Sequence, residues 1–169
     1  MEERLFKCLS KKRIGRFSKF RWPKCGVWVE VKGELVPCKN GIHLCRESDL
    51  IYWLDTEIYE AEYDGGERIE ANGKIVVRKA RLIKKLKTWN KRTMGLFFND
   101  CFTHVLSKPR GAYLFKLAAL STSYILPSYI LPEEDTWGKI LFLDLACIIS
   151  YKEKQWQTKR LMEYLYPDK

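Results

Sequence analysis

The chain is poor in histidine and modest in cysteine, with two His and six Cys among 169 residues. Thiols this sparse exclude a small disulfide-stapled secreted scaffold. The opening, Met-Glu-Glu-Arg-Leu-Phe-Lys, lacks the apolar run of a signal peptide. The expectation is a cytoplasmic protein with reduced thiols. Also missing are a Gly-rich phosphate loop, a Gly-x-Ser-x-Gly elbow and a His-Glu-x-x-His helix, so no complete catalytic constellation is carried. There is no internal repeat. Ala112 to Leu131 contains a single charge, Lys116. Pro127 and the run Ser121, Thr122, Ser123, Tyr124 interrupt it, and a soluble helical layer is expected there, with no membrane span.

What the chain does have is apolar mass and unevenly distributed charge. At 46% hydrophobic and 14% aromatic it can bury a core, which excludes disorder. The net charge of +10 is divided into blocks. Residues 1–25 carry nine basic and two acidic side chains, residues 26–73 four and eleven, and residues 74–110 eleven and one. In one reading, Lys11, Lys12, Arg13, Arg16, Lys19, Arg21 and Lys24 join Arg78, Lys79, Arg81, Lys84, Lys85, Lys87, Lys91 and Arg92 in a surface that attracts phosphates by releasing counterions. Phe17, Phe20 and Trp22, interleaved with the first block, would then stack on bases. In the other reading, the basic blocks pair with the protein's own acidic segment.

Periodicity divides the chain into an α+β part, 1–87, and a helical part, 88–169, packed against it as one unit. Strands are expected at Leu5–Leu9, Val27–Val31, Ile42–Cys45 and Ile58–Tyr63, in a small antiparallel sheet. Ser48 is a natural N-cap for a short helix with Leu50, Ile51, Trp53 and Leu54 as its stripe. A strand from Lys74 to about Ile83 would pair with Ile58–Tyr63 across a loop holding Asn72-Gly73. Beyond it, Met94, Phe97, Phe98, Cys101, Phe102 and Val105 recur with helical spacing, and Thr88 or Asn90 would cap that helix. Further helices are expected at 111–126, 136–150 and 155–165, the last with Trp156, Leu161, Met162 and Leu165 inward.

Two clusters bear chemistry. Cys25, Cys38, His43 and Cys45 supply the ligand set of a structural zinc site, although without a Cys-x2-Cys pair. The competing reading makes the thiols small core hydrophobes and leaves the protein without a cofactor. His43 with Tyr59 and Glu62 on a neighbouring strand is a candidate catalytic group. The order of a Gly-Ile-His strand, a short helix and an Ile-Tyr-Glu-Ala-Glu strand resembles part of the ADP-ribosyltransferase fold, over residues 41–63. That resemblance implies an enzyme using His43 and Glu62.

A second resemblance spans more of the chain. Cys38-Lys-Asn-Gly41-Ile-His43-Leu-Cys45 is followed by Tyr59-Glu-Ala-Glu62-Tyr63, by Lys74-Ile-Val-Val-Arg78-Lys-Ala-Arg81 and by Trp89-Asn90. The series resembles a family of uncharacterised proteins carried by bacteriophages and prophages, which share the pattern Cys-x2-Gly-x-His-x-Cys, Tyr-Glu-x-Glu-Tyr, a basic strand and Trp-Asn. It covers about residues 27–106, and Trp156-Gln157 is similar to the family's end. The resemblance implies a phage-type accessory protein in a bacterial host cytoplasm. Together these readings favour a non-enzymatic protein that binds an anionic partner, either nucleic acid or a nucleic-acid-handling host complex. The expected contacts are Lys11, Lys12, Arg13, Arg16, Lys84, Lys85 and Lys87. An acidic protein partner and an assembly role for the helical half are the remaining readings.

Overall fold

The first half of the chain forms seven short strands. In the computed structural model, which describes residues 3–71, 73–108 and 151–168, these are β1 (Leu5–Leu9), β2 (Val29–Glu30), β3 (Ile42–Arg46), β4 (Glu57–Tyr63), β5 (Arg68–Ala71), β6 (Lys74–Val77) and β7 (Lys79–Lys85). A 3₁₀ helix, Glu47–Trp53, joins β3 to β4, and two α-helices follow, α1 (Lys91–Leu106) and α2 (Tyr151–Leu165). The chain divides into two units, residues 1–91 and 92–169. The helices expected at 111–126 and 136–150, and the apolar stretch 112–131, lie outside the described residues. Among the described residues no helix is long and apolar enough to cross a membrane.

The architecture is α+β, but the sheet is not small. It is antiparallel with strand order β2-β7-β4-β1-β3-β6-β5. The expected strand from Lys74 to Ile83 is broken at Arg78 into β6 and β7, and only β7 pairs with β4, through Glu62↔Arg81 and Tyr63↔Ala80. β6 pairs instead with β3 and with β5, a strand the composition of Arg68–Ala71 does not announce. This arrangement forces the sheet to curl. One residue, Arg78, spans at most about 7.6 Å between flanking Cα atoms, whereas β6 and β7 stand four strand spacings apart in the sheet order, about 19 Å if it were flat.

The concave face of the curl is the core. Leu5, Leu9, Leu44, Ala61, Ile75 and Leu82 project from five strands and close around Trp22, which is only 4% exposed. The opposite face is covered as well. Phe6, Ile58 and Val76 are fully buried there, and the 3₁₀ helix, lying against β1 and β3, buries Leu50 and Ile51. This helix begins at Glu47 after Arg46, so Ser48 is inside it rather than capping it. Of the expected strand Val27–Val31 only Val29 and Glu30 pair, with Ala80 and Lys79 of β7.

In the second unit, the helical spacing buries Phe97, Phe98, Cys101 and Val105 of α1. On α2 the buried stripe is Glu153, Gln157, Leu161 and Leu165, four residues apart, rather than the wholly apolar set. Gln157 satisfies Glu153 by donating to its Oε1 at 2.9 Å. Asp100 of α1 accepts bonds from Arg160 (2.8 and 2.6 Å) and from the Tyr164 hydroxyl (2.7 Å). Trp156 is half-buried and stacks on His104 with ring centroids 3.7 Å apart.

Gly41, immediately before β3, is held at φ +141°, and a Cβ there would meet Val76 Cγ1 at 2.3 Å. Val76 is itself fully buried and cannot give way. Gly41→Ala is therefore expected to cost about 2–4 kcal/mol from backbone strain and overpacking. A denaturant midpoint unchanged from wild type would refute that account of the β3–β6 packing.

Candidate functional site

β1 and β3, near the centre of the sheet, pair at only two positions, Leu5↔Arg46 and Phe6↔Cys45. Beyond them β1 continues beside β4, while β3 continues beside β6. The two strands part, and a cavity of about 680 Å³ occupies the opening. Lys7 and Cys8 line it from β1, His43 and Cys45 from β3, and Cys38 and Lys39 from the turn before β3. Trp53, Asp55 and Lys74 complete one wall, and Gly15, Arg16, Phe17 and Ser18 border the cavity from the loop after β1.

Lys7 is the unusual residue. Strand alternation puts it on the core face with Leu5 and Leu9, where a charge is normally excluded. Its ammonium donates to the His43 carbonyl at 2.6 Å, standing in for the ladder bond that the parting strands do not make, and lies 5.4 Å from the Trp22 ring. Burial, reinforced by repulsion from Lys74, brings its pKa down to about 8, with the Cys45 and Cys8 thiols opposing the shift. His43 is pushed down to about 4, by burial first and then by Lys7 and Lys74. It is therefore neutral near pH 7. Its Nε2 accepts the Cys38 N–H at 3.1 Å, which leaves the ring proton on Nδ1. Cys38 is held at φ +66°, and its sulfur accepts from Lys74 Nζ at 3.2 Å. Lys74 also stands 4.7 Å over the Trp53 ring. Burial and the neighbouring Cys45 thiol push the Cys8 thiol up, so it is an un-ionised thiol.

Asp55 anchors the loop above this cavity. Its carboxylate accepts from the Ser10 hydroxyl (2.9 Å) and the Thr56 N–H (2.6 Å) and lies 3.4 Å from Arg16 Nε. Arg16 also donates to the Leu54 carbonyl at 3.2 Å. Bridges Ser10↔Ile14 and Ile14↔Arg21, with Gly15 N–H donating to Phe20 O at 2.8 Å, shape residues 10–22 into an ordered excursion. Lys12, Arg13 and Lys19 are all in the left-handed region, at φ +65°, +60° and +55°. Non-glycine residues in this conformation need surrounding contacts to hold them.

The candidate residues separate accordingly. Lys11 and Lys12 are exposed on this loop, whereas Arg13 points inward and donates from Nε to the Trp22 carbonyl at 3.1 Å. Lys84 and Lys85 belong elsewhere: they pair across the sheet with Glu60 (3.3 Å) and Glu57 (2.6 Å). Arg81 pairs likewise with Glu62, Arg78 with Glu67 and Lys79 with Glu30. The second basic block is thus engaged largely by β4 and its neighbours, and Lys87 follows it as an exposed residue. Burial alone would raise the Glu57 carboxyl, but Lys85, the Arg13 N–H and the Tyr59 hydroxyl hold it below the usual carboxylate range.

Of the four candidate zinc ligands, Cys38, His43 and Cys45 line the cavity, while Cys25 is exposed beside the contact of Gly26 with Leu82. Among the described residues no group of three or more His, Cys, Asp or Glu is placed to hold a metal. His43 and Glu62 share a face of the sheet but are two strands and four residues apart, about 16 Å by strand geometry. Tyr59 is on the other face, its hydroxyl donating to Glu57 at 3.1 Å, and burial raises its pKa to about 12. Sequence reasoning overlooked Lys7, Lys74 and Trp53. The available signal was a lysine at the middle position of the apolar run Leu5-Phe6-Lys7-Cys8-Leu9.

Comparison with known proteins gives no relative to argue from: no protein family, curated protein or solved structure matches the chain.

The two shifted groups predict opposite ends of a stability profile. Lys7 is neutral in the folded chain above about pH 8 but protonated in the unfolded chain up to about 10.5, so the unfolded state holds the extra proton and stability rises with pH across that window. His43 likewise takes its proton first in the unfolded chain, so stability falls as pH drops from 6.5 towards 4. In urea titrations, Lys7→Met is expected to flatten the alkaline rise and His43→Gln the acid fall. Slopes identical to wild type would contradict the burial described.

Proposed function

We propose that the protein binds single-stranded nucleic acid through the loop between β1 and β2, as an accessory factor without catalysis. The observation that carries this reading is the composition and exposure of residues 11–24, which hold seven basic side chains and no acidic one. Lys12, Lys19, Arg21 and Lys24 are exposed, and among the described residues none of them makes an ion pair with a carboxylate. Phe17 is 80% exposed and Phe20 46%, whereas Trp22 of the same segment is in the core. Cations with exposed rings between them suit a flexible strand, whose phosphates release counterions and whose bases stack. The loop's hydrogen bonds to Asp55, Leu54 and Glu57 order it before any partner arrives, which lowers the entropic cost of binding. The resemblance to phage and prophage proteins would set this activity in a bacterial cytoplasm during infection. The transferase reading lacks comparable support, since His43 and Glu62 are far apart and Glu62 is engaged by Arg81.

Fluorescence anisotropy with labelled oligonucleotides checks the proposal. Changing Lys12, Lys19, Arg21 and Lys24 together to Gln is expected to weaken binding and to flatten the log–log salt dependence by about 0.7 for each phosphate no longer neutralised. Phe17→Ala should cost about 1–3 kcal/mol if a base stacks on it. Lys84→Gln with Lys85→Gln should instead leave affinity near wild type. Binding and salt slope unaltered by the loop changes, or no binding at low salt, would overturn the proposal, and the second result would direct attention to an acidic protein partner.

A further inference from the structure

The loop reading accounts for the exposed cations but not for the charges beneath them. Lys7, Arg16, Lys39 and Lys74 line one cavity with a single carboxylate, Asp55, which is already occupied by Ser10, Thr56 and Arg16. Lys7 and Lys74 are near enough to repel one another's charge. Two ammonium groups brought together in a partly desolvated opening are unfavourable in the empty state, and an anion between them reverses the sign of that interaction. The volume, about 680 Å³, suits a small molecule and is too small for a duplex. Trp53 and Phe17 give the same cavity aromatic lining, and Phe17 is shared with the basic loop.

We propose that the opening between β1 and β3 is a binding site for a nucleoside 5′-phosphate, with Lys7 and Lys74 on the phosphate and the rings of Phe17 and Trp53 beside the base. In choosing a nucleotide the inference rests on the loop reading above. The monoester is favoured over a bridging diester by charge, because it carries about −1.5 to −2 at neutral pH against about −1. Arg16 reaches both the loop and the cavity, so a strand held by the loop is positioned to present its terminal phosphate below. The shared chemistry has two sources, a free nucleotide or the phosphorylated end of a strand.

The test uses the full chain and three probes, a short oligothymidylate with a 5′-phosphate, the same strand with a 5′-hydroxyl, and thymidine 5′-monophosphate. A terminal phosphate is expected to tighten binding by about tenfold or more, comparable with one charge-assisted contact. Lys7→Met and Lys74→Met, each first shown folded by its unfolding curve, should abolish that preference and leave the affinity of the 5′-hydroxyl strand unchanged. The preference should also fade as the pH passes about 8 and Lys7 loses its proton, an effect that the nearby Lys74, Cys8, Cys45 and His43 modulate. Preference for the phosphorylated strand without competition by the mononucleotide identifies a strand-end site. Competition by the mononucleotide without such a preference identifies a free-nucleotide site. Equal affinity for both strands with no competition overturns the inference, even in wild-type protein where no variant's folding is at issue. Weakened 5′-hydroxyl binding in the loop variants, alongside that outcome in wild type, would leave the loop reading standing alone.

Discussion

The single residue between β6 and β7 constrains much of the first unit. Arg78 links strands that belong to opposite sides of the sheet, and a link of that length is possible only if the sheet curls until its two sides meet. Curling gives the concave face its closed core around Trp22, while β4, β1 and β3 are held between the two halves of what is nearly one continuous strand. Because β6 draws β3 and β7 draws β4, the seam between β1 and β3 in the middle of the sheet is held by only two residue pairs. The cavity opens at that seam.

Charge is arranged around the same geometry. The register of β4 against β7 sets Glu62 opposite Arg81 and Glu60 opposite Lys84, and Lys85 reaches Glu57. Such partly exposed pairs contribute about 0–1 kcal/mol each, so their larger consequence is electrostatic: they neutralise a block that would otherwise dominate the surface. Among the described residues, Lys12, Lys19, Arg21 and Lys24 of the loop between β1 and β2 pair with no carboxylate. These four face solvent, whereas Arg13, through its N–H to Glu57, and Arg16, through Leu54, fasten the loop to the body of the unit. Attached and exposed cations thus alternate along one segment.

Lys7 connects the two features. It occupies an inward position on β1, costs the fold the desolvation of an amine, and bridges the seam through the His43 carbonyl. Its surroundings also keep His43 unprotonated, which lets that ring accept the Cys38 N–H and stabilises the turn leading into β3. Removing the positive charge at this point would therefore alter the charge of the cavity and the protonation of its wall together.

Much of the local structure was legible in the chain. The period-two runs Leu5–Leu9, Ile42–Cys45 and Ile58–Tyr63 identified β1, β3 and β4 to within a residue or so, and the helical spacing of Phe97, Phe98, Cys101 and Val105 identified α1. Alternation also contained the anomaly of Lys7, had the inward face been assigned. β5 was hidden because Arg68-Ile69-Glu70-Ala71 has little apolar content and is paired on account of its neighbour. The break at Arg78 was hidden too, because an unbroken β-forming run does not reveal that its halves have different partners. The same limit separated the Cys/His cluster: closeness in sequence brought Cys38 and His43 together, while Cys25 followed a different strand. By itself the sequence determined which segments extend, which coil and where charge is concentrated, since these follow from residue type and local period. Tertiary structure alone decided which charges are cancelled, which lysine turns inward and where the sheet opens, because each depends on pairings between residues far apart in the chain.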